Sequence, residues 1–597
     1  MALSSGIEID PNRDAKFDEN GIIRLKESYL AEGEVSPQER FAFVSNQFGT
    51  DQDHADRLYD YASKHWLSYS TPILAYGRDK KALPISCYLN YIPDTAEGLV
   101  DNLSETSWLS MLGGGVGIGF GIRSPDDKST GVITHLKTYD ASSLAYRQGK
   151  TRRGSYACYI DIDHPDIIQF MEMRKPTGDP NQRCLNLHHG LNISNKFMEL
   201  IETCMRDKEA DDSWDLIDPH DGEIKDTVSA KDLWQRILET RMITGEPYIH
   251  FIDTSNDNLP DFLKEKGLSI KQSNLCSEII LPTGADRTAV CCLSSLNLEY
   301  FDEWSKNKQF LRDVLEMLDN VLDRFIKDAP DAISRAKYSA LQERSVGVGA
   351  LGFHAYLQKN GIPFDCALAK SSNMRIFRHI RKGLDNANIE LGKLRGEAPD
   401  AVGSGLRNSH VMAIAPNASS SIIMGNTSPS IEPWRANAYR QDTLSGSFLN
   451  KNRHLDLLIK KKCKEDDSLD YDKCWRDIIA HDGSVQHVKY LSDEEKEVFK
   501  TAMEIDQRWV IEHAGDRQKF IDQAQSVNLF FRPDSNIKYI HAVHFSAWKQ
   551  GLKTLYYCRS EKIGKADKVA SKIERQVIKE IDFGALADGD QCIACEG

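Results

Sequence analysis

From about residue 70 to residue 360, short apolar runs alternate with longer stretches of helical spacing. The runs include GVGIGFG at 115–121, LNIS at 191–194, EIIL at 278–281 and SVGVG at 345–349. Each has the length and composition of a buried strand. Residues 232–244 and 311–327 repeat apolar positions every three or four residues and read as helices. This alternation predicts an α/β fold with a largely parallel sheet. Upstream, residues 1–35 are polar and acidic with weak periodicity, which predicts a partly irregular lead-in. Helical spacing begins at Ser36, where Pro37 and Glu39 complete a helix-start signature. A second helix is predicted over 51–64. Residues 450–476 hold the charge run KKKCKEDD at 460–467 and read as a solvated insertion.

Two glycine clusters invite a nucleotide-binding reading that their surroundings oppose. GVGALG at 347–352 matches G-x-G-x-x-G, but the region about 20 residues on is helical and basic, where a dinucleotide site needs an acidic strand end. GGGVGIG at 113–119 lacks the Lys-Ser/Thr of a phosphate loop, so its glycines are read as sites of close backbone approach. The chain has 597 residues and a net charge of −14, which opposes a nucleic-acid-coating surface. No apolar run approaches a membrane span, and the first residues carry no secretory pattern, so a cytoplasmic protein is expected. Its 13 Cys are then expected to be mostly reduced, with a few catalytic.

Two cysteine patterns carry chemistry. In QSNLCSEIILPT, at 272–283, Asn274, Cys276 and Glu278 are spaced by two, so an extended backbone projects all three to one side. A carboxylate beside a thiol raises the thiol pKa and disfavours a thiolate nucleophile, which points to a thiol used in another way; a hydrogen-atom donor or acceptor fits. An edge-strand Cys with two incidental polar neighbours fits the same three residues equally well. At the other end, Cys592 and Cys595 form a C-x-x-C near the last residue, after the Asp- and Gly-rich run 582–590. A tethered dithiol suits electron shuttling. Half of a zinc site is the other reading, although no His or second C-x-x-C lies nearby.

The segment at 272–283 closely resembles the active-site loop of the large (α) subunit of class I ribonucleotide reductases. Further islands resemble the same family in order: SYSTPI at 68–73, ISCYL at 85–89, AVCCLSSLN at 289–297, GLRNS at 405–409, APNASSS at 415–421, IEP at 431–433 and GLKTLYY at 551–557. The resemblance runs from about 65 to 560 and includes the tail pair. It implies a ten-stranded α/β barrel over 68–560, a mainly helical region over 1–67 without an ATP-cone, and a redox tail over 561–597.

The resemblance also implies roles. Cys276 becomes a thiyl radical that abstracts the ribose 3′-hydrogen, Glu278 is general base, and Asn274 holds the ribose. Cys87 and Cys291 reduce the 2′ position and join as a disulfide; Leu293 and Ser294 align Cys291, not Cys292, with the family pattern. Tyr556 and Tyr557 relay a radical from a separate β subunit, which carries the radical cofactor. This pair separates the chain from cobalamin-dependent relatives. Thr71, Ser86, Asn417, Ala418, Ser419, Ser420 and Arg435 are the implied substrate contacts. Many relatives have Glu-Thr where this chain has Ala418-Ser419. Asp94 and Arg123 are implied to contact a dNTP or ATP effector with Mg2+, and 123–131 and 174–184 are the implied specificity loops. Thioredoxin or glutaredoxin, ribonucleoside diphosphates and a second copy of the chain are the implied partners. No covalently bound cofactor and no metal ligand are expected.

Overall fold

The computed structural model describes residues 6–78, 82–146, 154–443 and 446–560. The tail thiols Cys592 and Cys595 lie outside these residues.

The helix starts written in the sequence are present. Ser36 caps Pro37–Phe48 with a reciprocal capping box through Glu39, and Asp51 caps Gln52–Ser63. The expected irregular lead-in is more ordered than its polarity suggests. A 3-10 turn at Pro11–Lys16 precedes a helix at Glu19–Ser28 capped by Asp18. That helix buries only Asn20, Gly21 and Leu25, a stripe too narrow to register as periodicity. Asn20 satisfies its amide by donating to Asn450 at 3.0 Å.

Nine strands build the main sheet: β1 (Leu67–Tyr69), β2 (Cys87–Pro93), β3 (Gly115–Gly121), β4 (Ser155–Asp161), β5 (His188–Ile193), β6 (Tyr248–Phe251), β7 (Ala289–Asn297), β8 (Val346–Leu351) and β9 (Thr554–Leu555). Strands β2 to β6 are parallel neighbours in sequence order. β7 pairs antiparallel with β2 and parallel with β8. β8 bridges in parallel to Met412, and Ile414 bridges in parallel to Gln525. The Tyr556 N–H reaches the Val527 carbonyl at 2.9 Å, and β9 returns antiparallel to β6. Ten extended segments therefore close into a ring of two oppositely directed halves, the expected ten-stranded α/β barrel.

The segment 272–283 threads this ring. The apolar run 278–281, expected as a strand, lies in this inner loop and pairs with no strand. Gln272 donates to the Asn90 carbonyl of β2 at 2.6 Å, while the Glu278 backbone carbonyl accepts from the Ala524 N–H at 2.9 Å on the opposite wall. Close approach explains the glycines of β3: a Cβ at Gly117 would lie 2.1 Å from the Ser273 carbonyl oxygen. The 347–352 cluster forms β8 and the turn into Phe353–Lys359, a barrel position.

The expected insertion at 450–476 is a small folded unit. Its charge run is the outer face of helix Arg453–Glu465, which packs with Tyr471–Ala480 around Leu455, Ile459, Trp475 and Ile478. A strongly charged face obscured an amphipathic helix. Among the described residues, no helix is long and apolar enough to cross a membrane.

Candidate active site inside the barrel

The inner loop is a tight turn, so the extended-strand argument for Asn274, Cys276 and Glu278 does not apply. The Asn274 N–H donates to the Ile279 carbonyl, and the Ile279 N–H donates back to the Asn274 side chain, both at 3.1 Å. Ser277 completes the reversal in the left-handed region at φ 67°. The turn brings Asn274 Nδ2 within 2.9 Å of Glu278 Oε2. Ser526 fastens both ends, its hydroxyl donating to the Cys276 carbonyl and lying 3.3 Å from Glu278 Oε2. Tyr159 donates to the Asn274 carbonyl at 2.9 Å. Asn274, Cys276 and Glu278 are all buried.

Cys276 faces a column of tyrosines. The Tyr556 hydroxyl lies 3.5 Å from the Cys276 sulfur, and the Tyr556 and Tyr557 rings are 4.3 Å apart between centroids. Tyr248 packs against both, at 4.8 and 5.1 Å. Tyr557 Oη lies 3.4 Å from Nδ1 of His188, whose ring is anchored by Glu246 at 2.6 Å. Glu246 also accepts from the His189 ring and backbone, and Arg174 lies 3.7 Å away. Burial alone would raise the Glu246 carboxyl. Arg174 and the two imidazoles outweigh it and hold the group well below the usual carboxylate range. A depressed acid stabilises the fold above its unfolded value, near 4.5, and that stability is lost as pH falls through the folded value. Glu246→Gln is therefore expected to cost about 3 kcal/mol at neutral pH. The difference from wild type should shrink as the medium is acidified below the ordinary carboxylate range, measured by denaturant unfolding across pH.

Cys87 and Cys291 are opposed residues of the antiparallel β2–β7 pair. Such residues have Cα atoms about 4.5–5.5 Å apart, within the ~4.4–6.8 Å that a disulfide spans. Both are buried free thiols. Burial, then Cys292, pushes the Cys291 thiol well above its ordinary value, and Gln523 Nε2 lies 3.4 Å from its sulfur. Cys292 points to the other face of β7, toward the Leu318 carbonyl at 3.4 Å, among the helices outside the barrel.

Thr71, Ser86 and Asn417 lie along β7 beyond Cys291. Thr71 follows β1, which pairs with β7 at Ser294, and its hydroxyl lies 3.0 Å from Tyr29 Oη. Ser86 precedes Cys87, its carbonyl accepting from Gly115. Asn417, at φ 56°, accepts from Ser295 and donates to the Ala350 carbonyl. It precedes the short helix Ala418–Ile423, in which Ser420 is buried and the Ser419 hydroxyl accepts from Arg24 at 3.2 Å. Arg435 is exposed. At the opposite mouth, Asp94 joins Arg123 at 2.7 Å and His220 at 3.0 Å. At ~3.3 Å per residue, β2 separates Cys87 from Asp94 by roughly 20 Å. The segment 123–131 leads into helix Gly131–Ala145, and 174–184 is tied to that helix through Lys137.

Sequence reasoning missed Tyr159, His188, Glu246, Tyr248, Ser526 and His220. The first five are single polar positions inside apolar or irregular segments. His220 had one signal, the turn-forming DPHDG at 218–222.

The barrel and its inner loop define a class that comparison with known proteins identifies. The family model described as "Ribonucleotide reductase, barrel domain" matches residues 85–401 and 399–558, and "Ribonucleotide reductase, all-alpha domain" matches 15–82. The chain belongs to the ribonucleotide reductase family. It is similar to the ribonucleoside-diphosphate reductase large subunit of Invertebrate iridescent virus 3, at 52% identity over 94% of this chain and 97% of that one. The putative large subunit of Frog virus 3 is 48% identical, over 91% and 92% of the two chains. Among solved structures, the class Id ribonucleotide reductase alpha subunit of Actinobacillus ureae superposes with a TM-score of 0.81 at 34% identity, over 92% of this chain and 97% of that one. Within the family the chain is a large subunit, an oxidoreductase of deoxyribonucleotide synthesis.

Proposed function

We propose that the chain reduces ribonucleoside diphosphates to 2′-deoxyribonucleoside diphosphates by thiyl-radical chemistry. The observation that carries this reading is the 3.5 Å contact between the Tyr556 hydroxyl and the Cys276 sulfur inside a closed barrel. A β subunit supplies an oxidising radical that passes through Tyr557 and Tyr556. Tyr556 takes the hydrogen atom of the Cys276 thiol, leaving a thiyl radical. The thiyl removes the 3′-hydrogen of the ribose while Glu278, steadied by Asn274 and Ser526, accepts the 3′-hydroxyl proton. The 2′-hydroxyl leaves as water with a proton from the Cys87–Cys291 pair. The pair gives two electrons, delivers its second hydrogen to C2′ and closes as a disulfide, and Glu278 returns its proton to the 3′ oxygen. Cys276 then returns its hydrogen atom to C3′, which regenerates the radical.

Burial holds the Cys291 thiol in its neutral form, which keeps a proton available for the departing 2′-hydroxyl. Ser86, Thr71, Arg435 and the 417–420 segment serve the substrate, with its diphosphate on the latter. Cys592 and Cys595 exchange with the internal disulfide and are reduced by thioredoxin or glutaredoxin. Asp94 and Arg123 receive a dNTP or ATP effector with Mg2+ at the opposite mouth, in a homodimer working in the cytoplasm. The chain itself needs no covalently bound cofactor; the radical resides on β.

The deciding experiment mixes the full chain with candidate radical-generating β subunits and assays CDP reduction with dithiothreitol. Product is expected with a matching β and is expected to vanish in Tyr556→Phe, which keeps the ring but loses the transferable hydrogen. Full turnover by Tyr556→Phe, or activity with adenosylcobalamin and no β, defeats the relay.

A further inference from the structure

Two histidines and an aspartate cluster far along the chain from every residue the reaction uses. Asp477 lies on helix Tyr471–Ala480, and His481 caps that helix four residues later, so both occupy one helix face. Asp482 and Gly483 follow in the left-handed region, at φ 54° and 80°, and turn the chain back. The turn lays His487 over His481, with ring centroids 3.6 Å apart. Asp477 Oδ2 is 3.0 Å from His487 Nε2, and Asp477 Oδ1 is 3.4 Å from His481 Nδ1. Ligand atoms of all three residues lie within 4.8 Å of one another.

We propose that Asp477, His481 and His487 form a binding site for a divalent cation of the zinc type. Zinc takes imidazole nitrogen and carboxylate oxygen at about 2.0–2.2 Å in a tetrahedron. The edge of such a tetrahedron is about 3.3–3.6 Å, by geometry from those bond lengths; the Asp477–His481 separation of 3.4 Å lies in that range, and the Asp477–His487 separation of 3.0 Å widens slightly on binding. The donor set favours zinc, copper or nickel over magnesium or calcium, which prefer all-oxygen shells. The side chains are 27–50% exposed, so a fourth position is open to water and an ion can enter without unfolding. Capture requires His481 to swing out of its stacked position so that its lone pair converges with that of His487. His481 Nδ1 also lies 2.8 Å from the Asp477 carbonyl, a contact that the swing exchanges for the ion, with Nδ1 as the metal-binding atom. A bound ion clips the end of helix Tyr471–Ala480 to the turn that follows it, within the small unit built on Trp475 and Ile478. Spacings of four and six residues, without a Cys, hid the set from motif reading.

The test soaks crystals of the full chain in zinc chloride and collects data at the zinc absorption edge. An anomalous peak bounded by the three side chains is expected; ordered side chains without a peak overturn the proposal. Because the chain's thiols also bind zinc, calorimetric titration compares the wild type with His487→Ala. The variant should bind one zinc ion fewer, or weaken that site by more than the ~10–100-fold that loss of an outer-shell partner costs. Equal stoichiometry and affinity overturn the proposal. The variant should keep full reductase activity, which separates this site from the reading of the barrel.

Discussion

Cys276→Ser should yield no deoxyribonucleotide, even with a matching β subunit and dithiothreitol in excess. The substitution removes one property only. Serine keeps the size and the turn, because the loop is held by backbone and neighbouring groups: Asn274 with Ile279, Ser526 on the Cys276 carbonyl, and Tyr159 on the Asn274 carbonyl. What is lost is an S–H bond weak enough to give its hydrogen atom to a tyrosyl radical; an alcohol O–H is too strong. The melting temperature should therefore stay near that of the wild type while product falls below detection. Glu278→Gln offers a graded contrast. It preserves the Asn274 and Ser526 contacts in shape but removes the proposed base, and should slow turnover by ~10²–10⁴-fold. Normal turnover in the serine variant would refute the mechanism outright.

Much of this site was legible in the sequence, but for reasons of differing strength. Strand β3 could be read from GVGIGFG because a strand buried on both faces is a continuous small or apolar run. The helix at Pro37–Phe48 was legible because Ser36 and Glu39 act locally. Spacing by two suggested that Asn274 and Glu278 meet, and they do, by a different route: a turn through Ser277 that no periodicity encodes. The opposition of Cys87 and Cys291 is a product of closure, since the 203 residues between them hold the rest of the first half-barrel. Resemblance supplied that pair; composition and period could not. The Glu246 cluster beneath Tyr557 was invisible because its members come from β5, the turn before β6 and residue 174, and each looks ordinary in its own window. Polarity misled at both 11–28 and 453–465, where a helix needs only a narrow apolar stripe to dock.

Gly117→Ala is the second large effect, and it tests the architecture rather than the chemistry. No catalytic group is touched. An added Cβ would lie 2.1 Å from the Ser273 carbonyl oxygen and 2.7 Å from the Asn274 Cα. Both are backbone atoms, so no side-chain rotation relieves the clash. Overpacking of this kind costs about 1–3 kcal/mol even where neighbours can adjust. Here the loop is pinned on its far side by the Ala524 and Ser526 contacts. Two outcomes compete. Either β3 moves and the barrel loses stability, or the loop shifts and Cys276 leaves the Tyr556 hydroxyl. The loop is the thinner element, so the shift should dominate. A displacement of about 1 Å at a reacting group can cost ~10²-fold in rate, and the variant should lose at least that much turnover while keeping a cooperative unfolding transition. Trapping the tyrosyl radical separates the alternatives. With β present, the radical should accumulate on the tyrosine pair in Gly117→Ala, because its next acceptor has moved out of reach. Wild-type turnover in this variant would mean that the inner loop does not press on β3, and the placement of Cys276 by the barrel wall would fall with it.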